Sequence, residues 1–211
     1  MALLVAIAGG TSSGKSTLAK ALSAELSDLP HLVLSQDTYF RDFSDLPEDQ
    51  REAARTANRP DAVNWAALLP QLEALKSGAS ITHPVPGTRA HARGDAETRL
   101  GPTDVAVIEG HLLLTDERLR ALADLKVFVD CDVEVRVLRR ITRDTGRNPQ
   151  NPEALQRSLA WYWRDVLPNN QRYTNLQRTY ADLIIPYDKP NPLAAPLLAA
   201  CIRHLLAQPR P

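Results

Sequence analysis

The sequence predicts an α/β fold built on a doubly wound, five-stranded parallel sheet with helices on both faces. Short apolar runs alternate with longer amphipathic runs along the chain, which is the pattern of a parallel sheet covered by helices. The length of 211 residues suits one compact domain, expected to span residues 1–211. Hydrophobic residues at 44% and charged residues at 24% are typical of globular proteins and exclude the disordered and fibrous classes.

The apolar and amphipathic runs give the order of the predicted elements. Strands are predicted over residues 3–8, 31–34, 104–108, 125–129 and 182–185. Helices are predicted over residues 15–26, 61–77, 132–144, 153–166 and 193–206. Gly78 follows the second helix and is predicted to cap its carboxyl end. Residues 39–58 and 81–102 read as irregular, and loops of that length in a compact domain are usually functional.

Charge and cysteine content narrow the class of protein. The 25 Lys and Arg residues balance the 25 Asp and Glu residues, which gives no support for a nucleic-acid or membrane-surface partner. No apolar run approaches the roughly 18 residues of a membrane helix. Cys131 and Cys201 are too few for a disulfide framework and fit a reducing compartment. We therefore expect a cytoplasmic protein that binds neither nucleic acid nor membranes.

A phosphate-binding loop follows the first predicted strand. The pattern G-x-x-x-x-G-K-[ST] is matched by Gly9-Gly10-Thr11-Ser12-Ser13-Gly14-Lys15-Ser16. The next residue, Thr17, is predicted to belong to the same nucleotide site. The glycines let backbone N–H groups surround a phosphate, and the helix N-terminus adds its positive end. Lys15 is predicted to reach the β- and γ-phosphates and the Ser16 hydroxyl to bind Mg²⁺. The motif predicts nucleotide binding rather than a chance Gly/Ser turn, but it does not separate kinases from GTPases or ATPases.

Two acidic residues follow predicted strands at their carboxyl ends. Asp37 comes just after the second strand, and Glu109 ends the third. Ligands of open α/β sheets bind at this end of the strands, so we expect both carboxylates near the γ-phosphate. Asp37 could accept the proton of an acceptor hydroxyl, and Glu109 stands where a Walker-B-type residue would hold Mg²⁺, for which Asp37 is a further candidate ligand. Taken alone, Asp37 is equally consistent with an ordinary turn residue.

An arginine row lies on the predicted helix 132–144 and its extension. Arg136, Arg140, Arg143 and Arg147 fall at offsets of 0, 4, 7 and 11, which places them on one helical face. Charge runs are usually solvated surface, but few acidic residues are available here for pairing along the helix. The row therefore favours an anion as its partner, and a transferring phosphoryl group suits the spread charge of arginine.

With these residues the chain resembles the uridine kinase family of P-loop nucleoside kinases, to which phosphoribulokinase and nicotinamide riboside kinase are related. The resemblance covers nearly the whole chain and depends on the order and spacing of several short segments. Besides the phosphate loop, these are Ser35-Gln36-Asp37-Thr38-Tyr39-Phe40, Arg59-Pro60-Asp61-Ala62-Val63-Asn64, Ile108-Glu109-Gly110, Val129-Asp130, Arg139-Arg140 with Arg143-Asp144, and Tyr180-Ala181-Asp182-Leu183-Ile184-Ile185-Pro186.

The resemblance implies a kinase that uses ATP and Mg²⁺ to phosphorylate the primary hydroxyl of a ribose, with uridine or cytidine as the default acceptor. It implies a P-loop NTPase-type fold with a small arginine-rich lid at about residues 140–152 and an acceptor-binding insertion at about residues 81–102. The implied catalytic residues are Asp37 as general base, Lys15, and the lid arginines Arg140, Arg143 and Arg147. The implied substrate contacts are Asp37, Phe40, Asn58, Arg59, His91, Arg93, Arg140, Arg147 and Trp161.

Departures from the family pattern fall in the expected acceptor pocket. Pro86 replaces an aromatic residue expected on the base, Asn58 replaces a ribose-binding Asp, and Phe40 lacks a phenol hydroxyl. Trp161 stands where the family uses Gln. The acceptor therefore stays open, and nicotinamide riboside, a sugar or a pantothenate-like alcohol is the alternative.

Two further classes are disfavoured. A nucleotide-dependent switch would need a guanine-reading N-K-x-D motif, which the sequence lacks, and an inactive binding module would not need the intact lysine, acids and arginine row. His111 and Tyr187 are expected to be structural. Family relatives form dimers and tetramers, which makes a homo-oligomer an expectation here.

Overall fold

A five-stranded parallel sheet lies at the centre of the protein. The computed structural model describes residues 1–54, 58–146 and 151–208. The strands run in the order β2-β5-β1-β6-β7. They are β1 (Leu3–Gly9), β2 (His31–Ser35), β5 (Val105–Gly110), β6 (Leu125–Asp130) and β7 (Leu183–Pro186), and β3 (Ile81–His83) pairs with β4 (Thr98–Leu100) in a separate antiparallel pair. Because the strand order reverses beside β1, the sheet is doubly wound, which confirms the predicted fold class.

Helices cover both faces of this sheet. The α-helices of the described residues are α1 (Lys15–Glu25), α2 (Glu48–Ala54), α3 (Trp65–Lys76), α4 (Arg89–Ala92), α5 (Glu117–Leu122), α6 (Val133–Asp144), α7 (Pro152–Trp161), α8 (Leu167–Asn169) and α9 (Ala194–Ala207). Short 3₁₀ turns occupy Gln36–Tyr39, Pro60–Ala62, Leu113–Thr115 and Asn175–Tyr180, and π-helical turns occupy Tyr162–Val166 and Asn170–Thr174. None of the helices described here is long and apolar enough to cross a membrane.

Strand β1 divides the core into two layers, because successive side chains of a strand point to opposite faces of the sheet. Leu3, Val5 and Ile7 pack in a buried cluster with residues of α1 and α9. Leu4 and Ala6 belong to a second buried cluster that includes residues of α3 and α5. Every residue of β1 is buried, as its unbroken apolar run predicts.

The register of the strands brings the predicted site residues to one edge of the sheet. Glu109 of β5 pairs with Ile7 of β1 on one side and with Ser35 of β2 on the other. The phosphate loop after β1 and the turn after β2 therefore begin beside Glu109, at the carboxyl end of the sheet.

Helix α3 shows how local sequence sets an element's ends. It begins at Trp65 rather than at the predicted residue 61, because the Asn64 side chain caps it by accepting from the Ala67 N–H at 3.1 Å. At its carboxyl end Gly78 takes a φ of +87°, and the Ala79 N–H donates to the Ala74 carbonyl at 2.8 Å. This bond pattern is a Schellman motif, and it confirms the predicted cap.

The two segments predicted to be irregular are partly regular, so that prediction was wrong. Residues 81–102 contain the antiparallel pair β3–β4 and the helix α4, and residues 39–58 contain α2. The strands β3 and β4 have three residues each, too few for an alternating pattern to be recognised in the sequence. The predicted helix 153–166 also changes type, because α7 ends at Trp161 and a π-helical turn follows.

Candidate active site

A cleft of about 520 Å³ opens at the carboxyl end of the central sheet. Its walls come from the phosphate loop, the turn after β2, helix α6, the end of α7 and the segment after β7. It brings together most of the predicted site residues, namely Thr11, Ser12, Gly14, Lys15, Ser16, Thr17, Asp37, Phe40, Asn58, Arg140, Arg143 and Trp161.

The phosphate loop has the conformation that its glycines predict. Gly14 takes a φ of +101° and forms the N-cap of α1, so Lys15 is the first residue of that helix. A Cβ atom on Gly14 would also overlap the Tyr187 ring, with Cε1 only 2.6 Å away. Glycine is therefore required at this position both by the backbone conformation and by the close approach of Tyr187.

Lys15, which lines the cleft, forms an ion pair with Glu109, which is not among the lining residues. The Lys15 Nζ lies 3.9 Å from the Glu109 Oε2, and the Ser35 hydroxyl donates to Glu109 Oε1 at 2.9 Å. Glu109 Oε2 is buried and accepts no hydrogen bond from the residues that the structure describes. A buried carboxylate oxygen in this state is unusual, and it suits a cation that would bind there. The exposed Ser16 hydroxyl group, which also borders the cleft, completes a donor set that fits Mg²⁺.

Asp37 lies in the 3₁₀ turn after β2 and faces the cleft. Its Oδ1 is 3.5 Å from Nδ1 of His111, a buried residue directly after β5. Desolvation raises the pKa of Asp37, but hydrogen bonding and positive charge from His111, together with the charges of Lys15 and Arg143, lower the pKa to about 2. Asp37 is therefore ionised at neutral pH and can accept a proton.

Helix α6 is tied to the phosphate loop by two adjacent arginines. Arg139 donates to the carbonyl of Ser13 at 3.4 Å and to the carbonyl of Tyr187 at 3.0 Å. Arg140 donates to the Thr11 hydroxyl at 3.3 Å, and its guanidinium lies 4.0 Å from the centre of the Trp161 ring. These contacts hold the middle of the helix beside the loop.

The arginine row is better neutralised than the sequence indicates. Arg140 and Arg143 both donate to Asp144, so one carboxylate serves two cations. Arg136 is buried rather than exposed to the cleft. Arg147 lies outside the described residues.

On the acceptor side, three of the predicted residues are not among those that line the cleft. Arg59 pairs with Asp61 at 2.9 Å, and Arg93 pairs with Asp95 at 2.7 Å. His91 is exposed on α4. Each of the two arginines is held by a carboxylate two positions further along the chain, which satisfies its charge away from the cleft.

Four residues that the sequence did not indicate also line the cleft. They are His111, Arg139, Tyr187 and Pro190. The expectation that His111 and Tyr187 are purely structural was too narrow, since both residues border the cleft. Each follows the carboxyl end of a sheet strand, so the rule that pointed to Asp37 could have found them.

The sequence matches a known protein family over most of its length. Residues 4–193 match the model of the Phosphoribulokinase / Uridine kinase family. The chain belongs to this family. It is an ATP-dependent kinase. A curated relative, the uridine kinase of Limosilactobacillus reuteri (strain DSM 20016), is 34% identical over 206 residues, which cover 98% of this chain and 93% of the relative.

Solved structures agree with the fold of this kinase. A structure from Silicibacter sp. TM1040, whose description names a fructose transport system kinase, has a TM-score of 0.66 and 26% identity, and the match covers 88% of this chain and 90% of that one. The phosphoribulokinase from Rhodobacter spheroides has a TM-score of 0.53 at 16% identity. The match covers 90% of this chain and 73% of the phosphoribulokinase chain, and it supports the fold alone.

Proposed function

We propose that this kinase transfers the γ-phosphoryl group of ATP to the 5′-hydroxyl of a nucleoside, with uridine and cytidine as the first candidates. The observation that carries the proposal is that Lys15, Asp37 and Arg143 border one cleft at the mouth of the phosphate loop. The uridine kinase relatives, which align with nearly the whole chain, support a nucleoside as the acceptor. We propose the cytoplasm as the site of this reaction, in keeping with the low cysteine content.

The transfer needs one proton acceptor and one electrophilic phosphorus. The acceptor oxygen forms a bond to the γ-phosphorus while the bond from that phosphorus to the β–γ bridging oxygen breaks. The hydroxyl proton goes to the Asp37 carboxylate, and ADP leaves with the electron pair of the broken bond. Because the pKa of Asp37 is lowered to about 2, the group is an ionised carboxylate at neutral pH, with a free site for the hydroxyl proton.

Cationic side chains would stabilise the charge of the transferring group. Lys15 is proposed to contact the β- and γ-phosphates, as its position at the start of α1 supports. Arg140 and Arg143 are proposed to reach the γ-phosphoryl group, which each would do by exchanging its contact with Asp144 for the phosphoryl oxygens. Arg147 is proposed to act as a further arginine of the lid at residues 140–152.

The residues Ser16 and Glu109, with Asp37, would hold Mg²⁺ in this proposal. The buried Oε2 of Glu109, which accepts no hydrogen bond from any described residue and has only the ion pair with Lys15, supports this assignment. When bound, the ion would neutralise phosphate charge and orient the phosphate oxygens.

The acceptor is proposed to lie between Phe40, Asn58 and Trp161. Asn58 is buried and its amide can both donate to and accept from ribose hydroxyls. The rings of Phe40 and Trp161 offer apolar surfaces for the rest of the molecule. The insertion of residues 81–102 would contribute His91 and Arg93 only by moving toward the cleft.

A coupled ADP-release assay with ATP and Mg²⁺ tests the proposal. The panel is uridine, cytidine, the other ribonucleosides, nicotinamide riboside, fructose and pantothenate. We expect fastest turnover with uridine or cytidine, and a loss of kcat/KM on the order of 10³-fold in the Lys15→Ala variant. Fast turnover with fructose or pantothenate and none with any nucleoside would contradict the acceptor class while leaving the kinase assignment intact.

A further inference from the structure

Arg136 carries a buried positive charge that the described residues leave incompletely paired. The residue is 4% exposed. Its Nε donates to the Cys131 carbonyl and its Nη2 to Asn170 Oδ1, both at 3.1 Å, while Nη1 has no hydrogen-bond partner. The negative charge of Asp130 interacts electrostatically with the Arg136 guanidinium. The Asp130 carboxylate, however, forms its ion pair with Arg178 at 3.2 Å.

The guanidinium lies directly against the phosphate loop. A Cβ atom on Gly10 would overlap Arg136 Nη1 and would lie 2.7 Å from Cζ. Gly10 does not have the positive φ seen at Gly9 and Gly14. A side chain at residue 10 would therefore have to displace the Arg136 guanidinium from its place against the loop.

Arg136 differs in this respect from the other α6 arginines beside the loop. Arg139 donates hydrogen bonds to backbone carbonyls, and Arg140 forms an ion pair with Asp144. Neither has a buried nitrogen without a partner in the described part of the chain. Burial lowers the pKa of the Arg136 guanidinium, but arginine stays protonated in proteins. An unpaired buried charge is costly unless something compensates it.

We propose that Arg136 completes the anion site of the phosphate loop, its buried charge acting through Gly10 on the β- and γ-phosphates of the bound nucleotide. The bound polyphosphate would supply the counter-charge that the protein lacks. Arg136 is thus a positioning residue whose charge would act on the phosphates together with that of Lys15. The inference rests on the proposed function only in requiring that the loop binds ATP.

Isothermal titration and thermal unfolding with ADP, in EDTA, test this role. AMP, which has no β-phosphate, is the control ligand. Because a buried charge beside the loop interacts strongly with the phosphates, loss of the charge should weaken ADP binding at least about tenfold in Arg136→Met. Arg136→Lys keeps the charge and should bind ADP within about threefold of wild type.

A matched control is Arg120→Met. Arg120 also donates to backbone carbonyls, those of Leu114 and Thr115, but it does not line the cleft. It should leave ADP affinity unchanged. If wild-type protein fails to bind ADP, the proposed function is wrong. If wild type binds ADP and Arg136→Met binds it equally well, or if Lys and Met weaken binding alike, Arg136 is only structural and the inference is overturned.

A double-mutant cycle with Gly10→Ala tests the contact itself. The added methyl group must displace the guanidinium, so Gly10→Ala should weaken ADP binding in the wild-type background. It should cause little further loss in Arg136→Met, where the charge is already absent. Additive losses would overturn the inference. If Arg136→Met does not fold, Gly10→Ala alone decides, and unchanged ADP affinity in that variant would overturn it.

Discussion

The two sides of the cleft are built in different ways. On the phosphate side, residues 9–17 are contiguous, and the arginines of one helix contact them. On the acceptor side, Phe40, Asn58 and Trp161 come from three distant parts of the chain. The phosphate side therefore depends on one local conformation, whereas the acceptor side depends on how separate segments pack.

Their chemistry differs as well. The phosphate side concentrates the cations Lys15, Arg139, Arg140 and Arg143 around the loop. The acceptor side offers an amide and aromatic rings. The first set suits any phosphoryl transfer, and under the proposed function the second set would decide which hydroxyl receives the group. Substitutions on the phosphate side should therefore abolish turnover with all acceptors, whereas those on the acceptor side should change the preference among them.

The largest effect is expected for Lys15→Ala. Removing the one lysine that borders the cleft at the loop should lower kcat/KM on the order of 10³-fold, for every acceptor tested. The coupled ADP-release assay measures this loss. Lys20→Ala, an exposed residue of the same helix, is the matched control. Turnover of Lys15→Ala within about tenfold of wild type would show that Lys15 does not act in the transfer.

Asp37→Asn should lower kcat by roughly 10²- to 10⁴-fold, because the amide cannot accept the hydroxyl proton. Affinity for ADP in the absence of Mg²⁺ should stay close to that of wild type. Since the wild-type pKa lies at about 2, far below the assay range, the carboxylate is ionised throughout and no loss of activity between about pH 5 and 8 should come from its protonation. Asp45→Asn, on the same segment, is the control. Wild-type turnover in Asp37→Asn would rule out Asp37 as the base.

The contrast within the acceptor side is tested by Asn58→Ala and Arg93→Ala. Loss of a buried amide that borders the cleft should raise the acceptor KM about tenfold without changing ADP affinity. Loss of Arg93, which is held by Asp95, should change the same KM by less than about twofold. A larger effect of Arg93→Ala would mean that the 81–102 segment closes over the acceptor during turnover.

The smallest effect is expected away from the cleft, at Gly78→Ala. The backbone there has a φ of +87°, which costs a residue with a Cβ about 1 kcal/mol. Nothing lies within 4 Å of the added methyl group, so backbone strain is the only cost. The melting temperature should fall by about 2–4 °C, with unchanged kinetics. Ser77→Ala is the control. If its melting temperature fell equally, the loss in Gly78→Ala could not be assigned to backbone strain at residue 78.

Prediction from the sequence succeeded where a feature is local. The five sheet strands, the helix cap at Gly78 and the phosphate loop each follow from a short run of residues. It failed for β3, β4 and α4, because elements of three or four residues leave no periodic pattern. Arg59 and Arg93 do not line the cleft in this structure, since a nearby carboxylate pairs with each one, and their roles as substrate contacts stay predictions.

The sequence by itself determined the fold class and the phosphate loop, because hydrophobic periodicity and glycine conformation act over a few residues. The class of reaction followed from the resemblance of the sequence to a kinase family. Only the tertiary structure decided which polar groups share the cleft. The approach of His111 to Asp37 depends on β2 and β5 being neighbours, and the burial of Arg136 against Gly10 depends on how α6 packs beside β1. These contacts join residues from 74 to 126 positions apart, a separation that no local pattern encodes.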